Sequence, residues 1–159
     1  MGKDLLALVL SFIIMGPLGF LPNILLQTWL YGNTQAVMEF FVQPLPRWAV
    51  LTALVAFPVT QGITELPLYF GVIMPRMARK PFPNLWPVIP PALMLGFQHL
   101  AAPLVFDWRF IAWRGLMFVP FALGAGVLLR WRPRLLPYMA IVHVLMNLSV
   151  STMFLPVMK

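Results

Sequence analysis

Apolar runs of membrane-crossing length alternate along the chain with short interruptions rich in proline or in basic residues. A membrane-spanning helix needs ~20 mostly apolar residues. Five stretches approach that length: residues 5–30, 48–74, 86–106, 110–129 and 135–157. The first is broken by Pro17 and Pro22, and reads as a kinked span or as a span followed by an interfacial turn. Residues 31–47 are too mixed to span and are expected on the membrane interface. The pattern predicts one integral-membrane domain over residues 1–159, an all-α bundle of about five transmembrane helices, several of them proline-kinked. Pro58, Pro67, Pro103 and Pro120 fall inside spans. Lipid cannot pair the carbonyls that such prolines free, so these helices must pack against one another or line a wet cavity.

Composition narrows the class. Hydrophobic residues make up 61% of the 159 and charged residues only 9%, against ~25% charged in a soluble domain. The N-terminal run continues without a small-residue cleavage site, so it is expected to be a retained span and not a removed signal. The net charge of +7 sits in short clusters between apolar runs. That is the distribution the positive-inside rule produces, and it argues against a nucleic-acid partner. The chain has no cysteine, which excludes a disulfide framework and thiol chemistry.

Counting lysine and arginine sets the expected orientation. With five spans, one face carries Lys3, Arg76, Arg79, Lys80, Arg130, Arg132 and Arg134, seven in all. The other carries Arg47, Arg109, Arg114 and Lys159, four in all. Seven against four places the N-terminus in the cytoplasm, and a multi-pass position in a bacterial inner (cell) membrane is expected.

Few ionisable residues remain inside the spans. The chain has four acidic residues, Asp4, Glu39, Glu65 and Asp107, and two histidines, His99 and His143. Glu65 lies in the middle of the apolar stretch "QGITELPLYFGVIMPRM". It precedes Arg76 by eleven positions, which puts it roughly 16 Å from the basic face at ~1.5 Å per helical residue. His143 follows Arg134 by nine positions, roughly 13 Å from the same face. His99 is expected about 13–20 Å in if its helix starts near residues 86–90. Ionisable groups in a membrane are costly and normally face a bundle interior. Asn147 is four residues after His143 and shares its helix face. Gln98 adjoins His99 but points about 100° away, so it falls outside this expected set. Each of these residues alone also fits a plainer role as interhelical hydrogen-bonding glue. Glu, His, His and Asn at one depth are less easily explained that way.

These residues carry a resemblance. The chain resembles the CPBP family of intramembrane proteases, the CAAX-processing and bacteriocin-immunity group (Abi-type), whose motifs EExxxR, FxxxH and HxxxN lie in that order on three spans. The third is intact as "HVLMN", His143 to Asn147. The second appears as "LGFQH", with Leu95 at the phenylalanine position and His99 in place. The first is degenerate in "ELPLYFG", where Glu65 matches, Leu66 stands for the second glutamate and Phe70 for the arginine. The motif-bearing core covers about residues 62–148. The resemblance implies a membrane-embedded endopeptidase in which Glu65, assisted by His99, activates water, while His143 and Asn147 stabilise the oxyanion. It implies a membrane protein or peptide as substrate and no cofactor. The family is larger, which implies peripheral spans that are missing or are supplied by a second copy in a homo-oligomer or by a partner subunit.

Three other readings stay open. Glu65, His99 and His143 match the ligand types of a zinc site with an open water position. A catalytically inactive scaffold or immunity-type relative would keep the cavity without the chemistry, and the altered first motif fits such a relative as well as a divergent protease. A bis-histidine haem protein would use His99 and His143 but leaves Glu65 and Asn147 unexplained.

Overall fold

The computed structural model describes residues 2–34, 36–37, 40, 44–81, 85–101, 103–157 and 159. Helix α1 is Gly2–Tyr31, with Pro17 and Pro22 inside it. Helix α2 is Arg47–Leu66 and runs on through a π-helical segment, Pro67–Ile73, into the α-turn Met74–Met77. Helix α3 is short, Ile89–Phe97, with 3-10 turns Trp86–Val88 before it and Gln98–Ala101 after it. Helices α4, Trp108–Leu116, and α5, Val119–Trp131, are two halves of one rod, separated by a turn just before Pro120. Helix α6 is Leu136–Ser151, entered through Pro133–Leu135 and followed by the 3-10 segment Thr152–Val157.

The result is an all-α membrane bundle of five helical rods. Among the described residues four are long and apolar enough to cross a membrane: Leu5–Tyr31, Arg47–Met77, Trp108–Trp131 and Pro133–Ser151. The third rod, expected to span over 86–106, has only nine α-helical residues. Prolines at its start and Pro103 beyond its end limit its length. The interfacial segment expected over 31–47 falls partly on residues outside the described set.

The rods pack unevenly. Helix α2 lies along α6 over most of its length, α3 packs on α5, and α1 rests on α4 and α5. The main core gathers Leu66, Phe70, Leu95, Ala122, Ala125 and Leu129, each 3% exposed or less. Without a hydrophobic drive in lipid, helix association rests on close van der Waals fit, which small residues permit. Two glycines make that fit. A Cβ on Gly126 would fall 2.5 Å from Val88 Cγ1 and 2.8 Å from Phe70 Cε1. On Gly62 it would fall 2.1 Å from Val144 Cγ2 and 2.9 Å from the Val144 amide nitrogen. Any side chain at position 62 therefore separates α2 from α6.

The exposed tryptophans, with Phe106 and Tyr138, form two groups. Trp29, Trp48, Phe106 and Trp108 lie where α1 ends and where α2 and α4 begin. Trp86, Trp131 and Tyr138 lie at the opposite ends, beside the basic residues. This is the arrangement of interfacial aromatic belts. Between them, Ile13, Leu25, Val55, Ile63 and Leu145 are exposed apolar residues of the kind lipid solvates.

Candidate functional site

Local sequence explains how α2 presents Glu65. Pro67 has no N–H, and its ring crowds the carbonyl four residues back. The helix widens at that point into the π-helical turns. Such segments occur often at functional sites. Glu65 and Leu66 end the regular part, both buried, and Tyr69 and Phe70 are buried one turn later. Tyr69 is four residues after Glu65, on the same side of the helix.

A hydrogen-bonded chain crosses three helices. The Tyr69 hydroxyl donates to Gln98 Oε1 at 2.7 Å. Gln98 Nε2 donates to Glu65 Oε1 at 2.7 Å. Glu65 Oε2 meets His143 Nε2 at 2.6 Å, with side chains 8% and 13% exposed. A single proton between that oxygen and that nitrogen serves either an imidazole N–H facing a carboxylate or a carboxyl facing a neutral ring. The carboxylate keeps acceptor capacity, since its two oxygens offer about four lone-pair sites.

Two nitrogens on α6 are left over. His143 Nδ1 and Asn147 Nδ2 are buried without a hydrogen-bond partner. They are one turn apart on a shared face. Buried unpaired polar atoms are rare in native structures. The His143 ring also lines a narrow cleft of about 50 Å³ between α1 and α6, bounded by Ser11, Met15, Phe121 and Met139. It stacks near Phe121, with ring centroids 6.3 Å apart.

His99 is placed differently. Its Nδ1 donates to Leu95 O at 2.8 Å, and its ring lies 4.3 Å from that of Phe118. No hydrogen bond joins it to Glu65 among the described residues; the residue that reaches Glu65 is its neighbour Gln98. The winding changes from α to 3-10 just after Phe97. The tighter turn rotates positions 98 and 99 from where a continuous α-helix would aim them. The structure thus brings together Glu65 and His143, with Asn147 one turn away, and leaves His99 one layer aside. Among the described residues no group of three His, Cys, Asp or Glu is placed to hold a metal ion.

Sequence reasoning missed three residues. Tyr69 was accessible through its i, i+4 spacing from Glu65. Gln98 carried no such signal, because the winding change is not written in its own side chain. Arg114, counted with the basic residues of one face although it falls in the 110–129 stretch, is within the rod 108–131. Its Nε donates to His99 O at 3.1 Å, and its guanidinium lies 5.7 Å from the Trp113 ring centroid and 5.9 Å from that of Phe118. Aromatic faces and a carbonyl thus hold a cation that would otherwise be costly in a span. Comparison of the chain with family models, curated proteins and solved structures gave no match.

Proposed function

We propose that this chain is a membrane-embedded endopeptidase in which Glu65 activates a water for attack on a peptide bond. The observation that carries the reading is the buried Glu65–His143 contact at 2.6 Å, beside the unpartnered His143 Nδ1 and Asn147 Nδ2. An acceptor next to a waiting amide donor and an unpaired ring nitrogen has the composition of a general base with an oxyanion site.

In this mechanism a water sits on a remaining lone pair of Glu65. The carboxylate takes the water's proton as the oxygen adds to the substrate carbonyl carbon. Asn147 Nδ2–H, and His143 Nδ1–H when that nitrogen carries a proton, donate to the oxyanion. On collapse the C–N bond breaks, and the proton held at Glu65 passes to the leaving amine. Gln98 and Tyr69 fix the carboxylate's orientation. His99 acts at one remove, by holding the turn that carries Gln98. The substrate is a membrane protein or peptide, and the face bearing Arg76, Arg79, Lys80, Arg130, Arg132 and Arg134 is cytoplasmic in a bacterial cell membrane.

A second reading has its own support. Both Glu65 oxygens already have partners, as they would if the carboxyl were interhelical glue in a non-catalytic scaffold. Mass spectrometry of candidate membrane substrates incubated with wild type and Glu65→Gln separates the two. Fragments that appear with wild type and vanish with Glu65→Gln support the peptidase. Equal cleavage by both removes it.

A further inference from the structure

A second polar cluster lies on α1, away from Glu65. Asn23, Gln27 and Tyr31 follow one another at four-residue spacing and share a helix face. Asn23 Oδ1 accepts from Gln27 Nε2 at 2.6 Å and from Trp113 Nε1 of α4 at 2.8 Å. Those two bonds fix the Gln27 amide, because its nitrogen must face Asn23. Its oxygen then faces the other way. Gln27 is 5% exposed, and both Gln27 Oε1 and the Tyr31 hydroxyl are buried without a partner. Leu30, Val37, Phe110 and Trp113 wall this region. An unpaired carbonyl oxygen in such surroundings calls for a donor.

The cluster's position narrows the choice of donor. Tyr31 ends α1 and lies within electrostatic range of Asp107 and Arg109 at the start of α4. Asp107 and Arg109 are both exposed, at the level of the aromatic residues Trp29, Phe106 and Trp108. Gln27 is four residues below Tyr31, about 6 Å deeper. That depth falls within the interfacial zone, since a bilayer is ~40–45 Å thick with headgroups and ~30 Å without. Two neutral oxygens on α1 thus lie inward of a carboxylate and a guanidinium at the start of α4, which reach Tyr31 electrostatically, with aromatic residues at the same level. A primary ammonium has N–H donors for the oxygens and a positive charge for Asp107 and the ring faces. The phosphate two carbons away from it would meet Arg109.

We propose that Gln27, Tyr31 and Asp107 form a site for the primary-ammonium headgroup of a phospholipid, with Arg109 receiving its phosphate. The site is independent of any chemistry at Glu65.

Native mass spectrometry of the purified full chain tests this. The lipids are phosphatidylethanolamine, phosphatidylcholine and phosphatidylglycerol with identical acyl chains. Phosphatidylcholine has the same phosphate and positive charge but no N–H, so it isolates the donor requirement. Phosphatidylethanolamine should be retained about ten-fold or more over the other two, the ratio expected from hydrogen bonds to a charged group. Gln27→Leu, Tyr31→Phe and Asp107→Asn should each lower its retention by a similar factor, with unchanged helix content by circular dichroism. Asp107→Asn keeps an N-capping side chain where Asp107 now accepts from the Arg109 and Phe110 amides. Equal retention of all three lipids overturns the proposal. So does undiminished ethanolamine-lipid binding in the variants, which would leave Gln27 an internal water only.

Discussion

Glu65 Oε2 and His143 Nε2 meet at 2.6 Å across the α2–α6 interface, next to the point where Gly62 lies against the backbone of Val144. The polar pair and the close approach belong together. Gly62 is three residues before Glu65, and Val144 adjoins His143. A buried ion-pair geometry this short needs the two helix axes held close, and in lipid only small residues allow that.

Gly62→Ala should therefore damage fold and site at once. Its Cβ would fall 2.9 Å from a backbone nitrogen, which no rotamer change can relieve. Overpacking of this kind costs typically about 1–3 kcal/mol. Equilibrium unfolding in mixed micelles should show that loss. Adding Val144→Ala removes the clash at Cγ2 but not at the backbone, so recovery should be partial. Wild-type stability in Gly62→Ala would show that the helices do not pack as described.

The Glu65–His143 pair should behave as a unit. Removing one partner of a buried pair leaves an uncompensated polar group, at about 3–5 kcal/mol when the remaining group is charged. Glu65→Gln and His143→Gln should therefore be non-additive in stability, with a coupling in the range of about 0.5–3 kcal/mol. A double-mutant cycle by thermal unfolding measures it. Strict additivity would mean the two side chains do not touch.

Gln98 links Tyr69 to Glu65, and Gln98→Leu would strand the Tyr69 hydroxyl and Glu65 Oε1 together. Each stranded buried group costs about 1–3 kcal/mol. Tyr69→Phe removes the donor and leaves only Gln98 Oε1 unpaired, so it should cost less. The expected order of stability is wild type, Tyr69→Phe, Gln98→Leu. Unfolding curves that reverse it would place Gln98 elsewhere.

That chain also marks how far the sequence could be read. Four spans were legible because their apolar runs are long enough to have no other home. Glu65 and His143 were legible as a pair because depth can be counted from the basic residues beyond each helix. Gln98 was set aside for His99 because depth counted along a helix does not say which of two neighbours faces Glu65. The third rod was overestimated in length, since proline density marks where a helix starts and stops more firmly than hydropathy marks its extent. Arg114 was assigned to a membrane face because its shielding by Trp113, Phe118 and the His99 carbonyl comes from other turns and another helix.

Orientation has a direct test, because the chain contains no cysteine. Arg79→Cys and Arg132→Cys should both be labelled by an impermeant maleimide only after the cell is opened. Trp48→Cys, at the opposite end of α2, should be labelled in intact cells. Labelling of positions 79 and 132 from outside would invert the proposed topology.

The sharpest contrast between enzyme and scaffold lies at Asn147. Its Nδ2 is buried and unpartnered, so in the resting protein it is a liability. Asn147→Leu should leave stability unchanged or raise it by about 1 kcal/mol, since an unpaired buried amide is replaced by an apolar group. If that amide donates to an oxyanion, the same substitution should lower turnover about 10²–10³-fold, the cost of one such donor. Glu65→Gln should lower it about 10²–10⁴-fold, as expected for loss of a general base. A stable Asn147→Leu protein with lost turnover is the signature of a catalytic donor, because function and stability then move in opposite directions. A scaffold gives no such split, since its groove would tolerate Asn147→Leu and Glu65→Gln alike. Peptide release measured for both variants beside their melting curves decides between the two, and full turnover in Asn147→Leu would remove the oxyanion role.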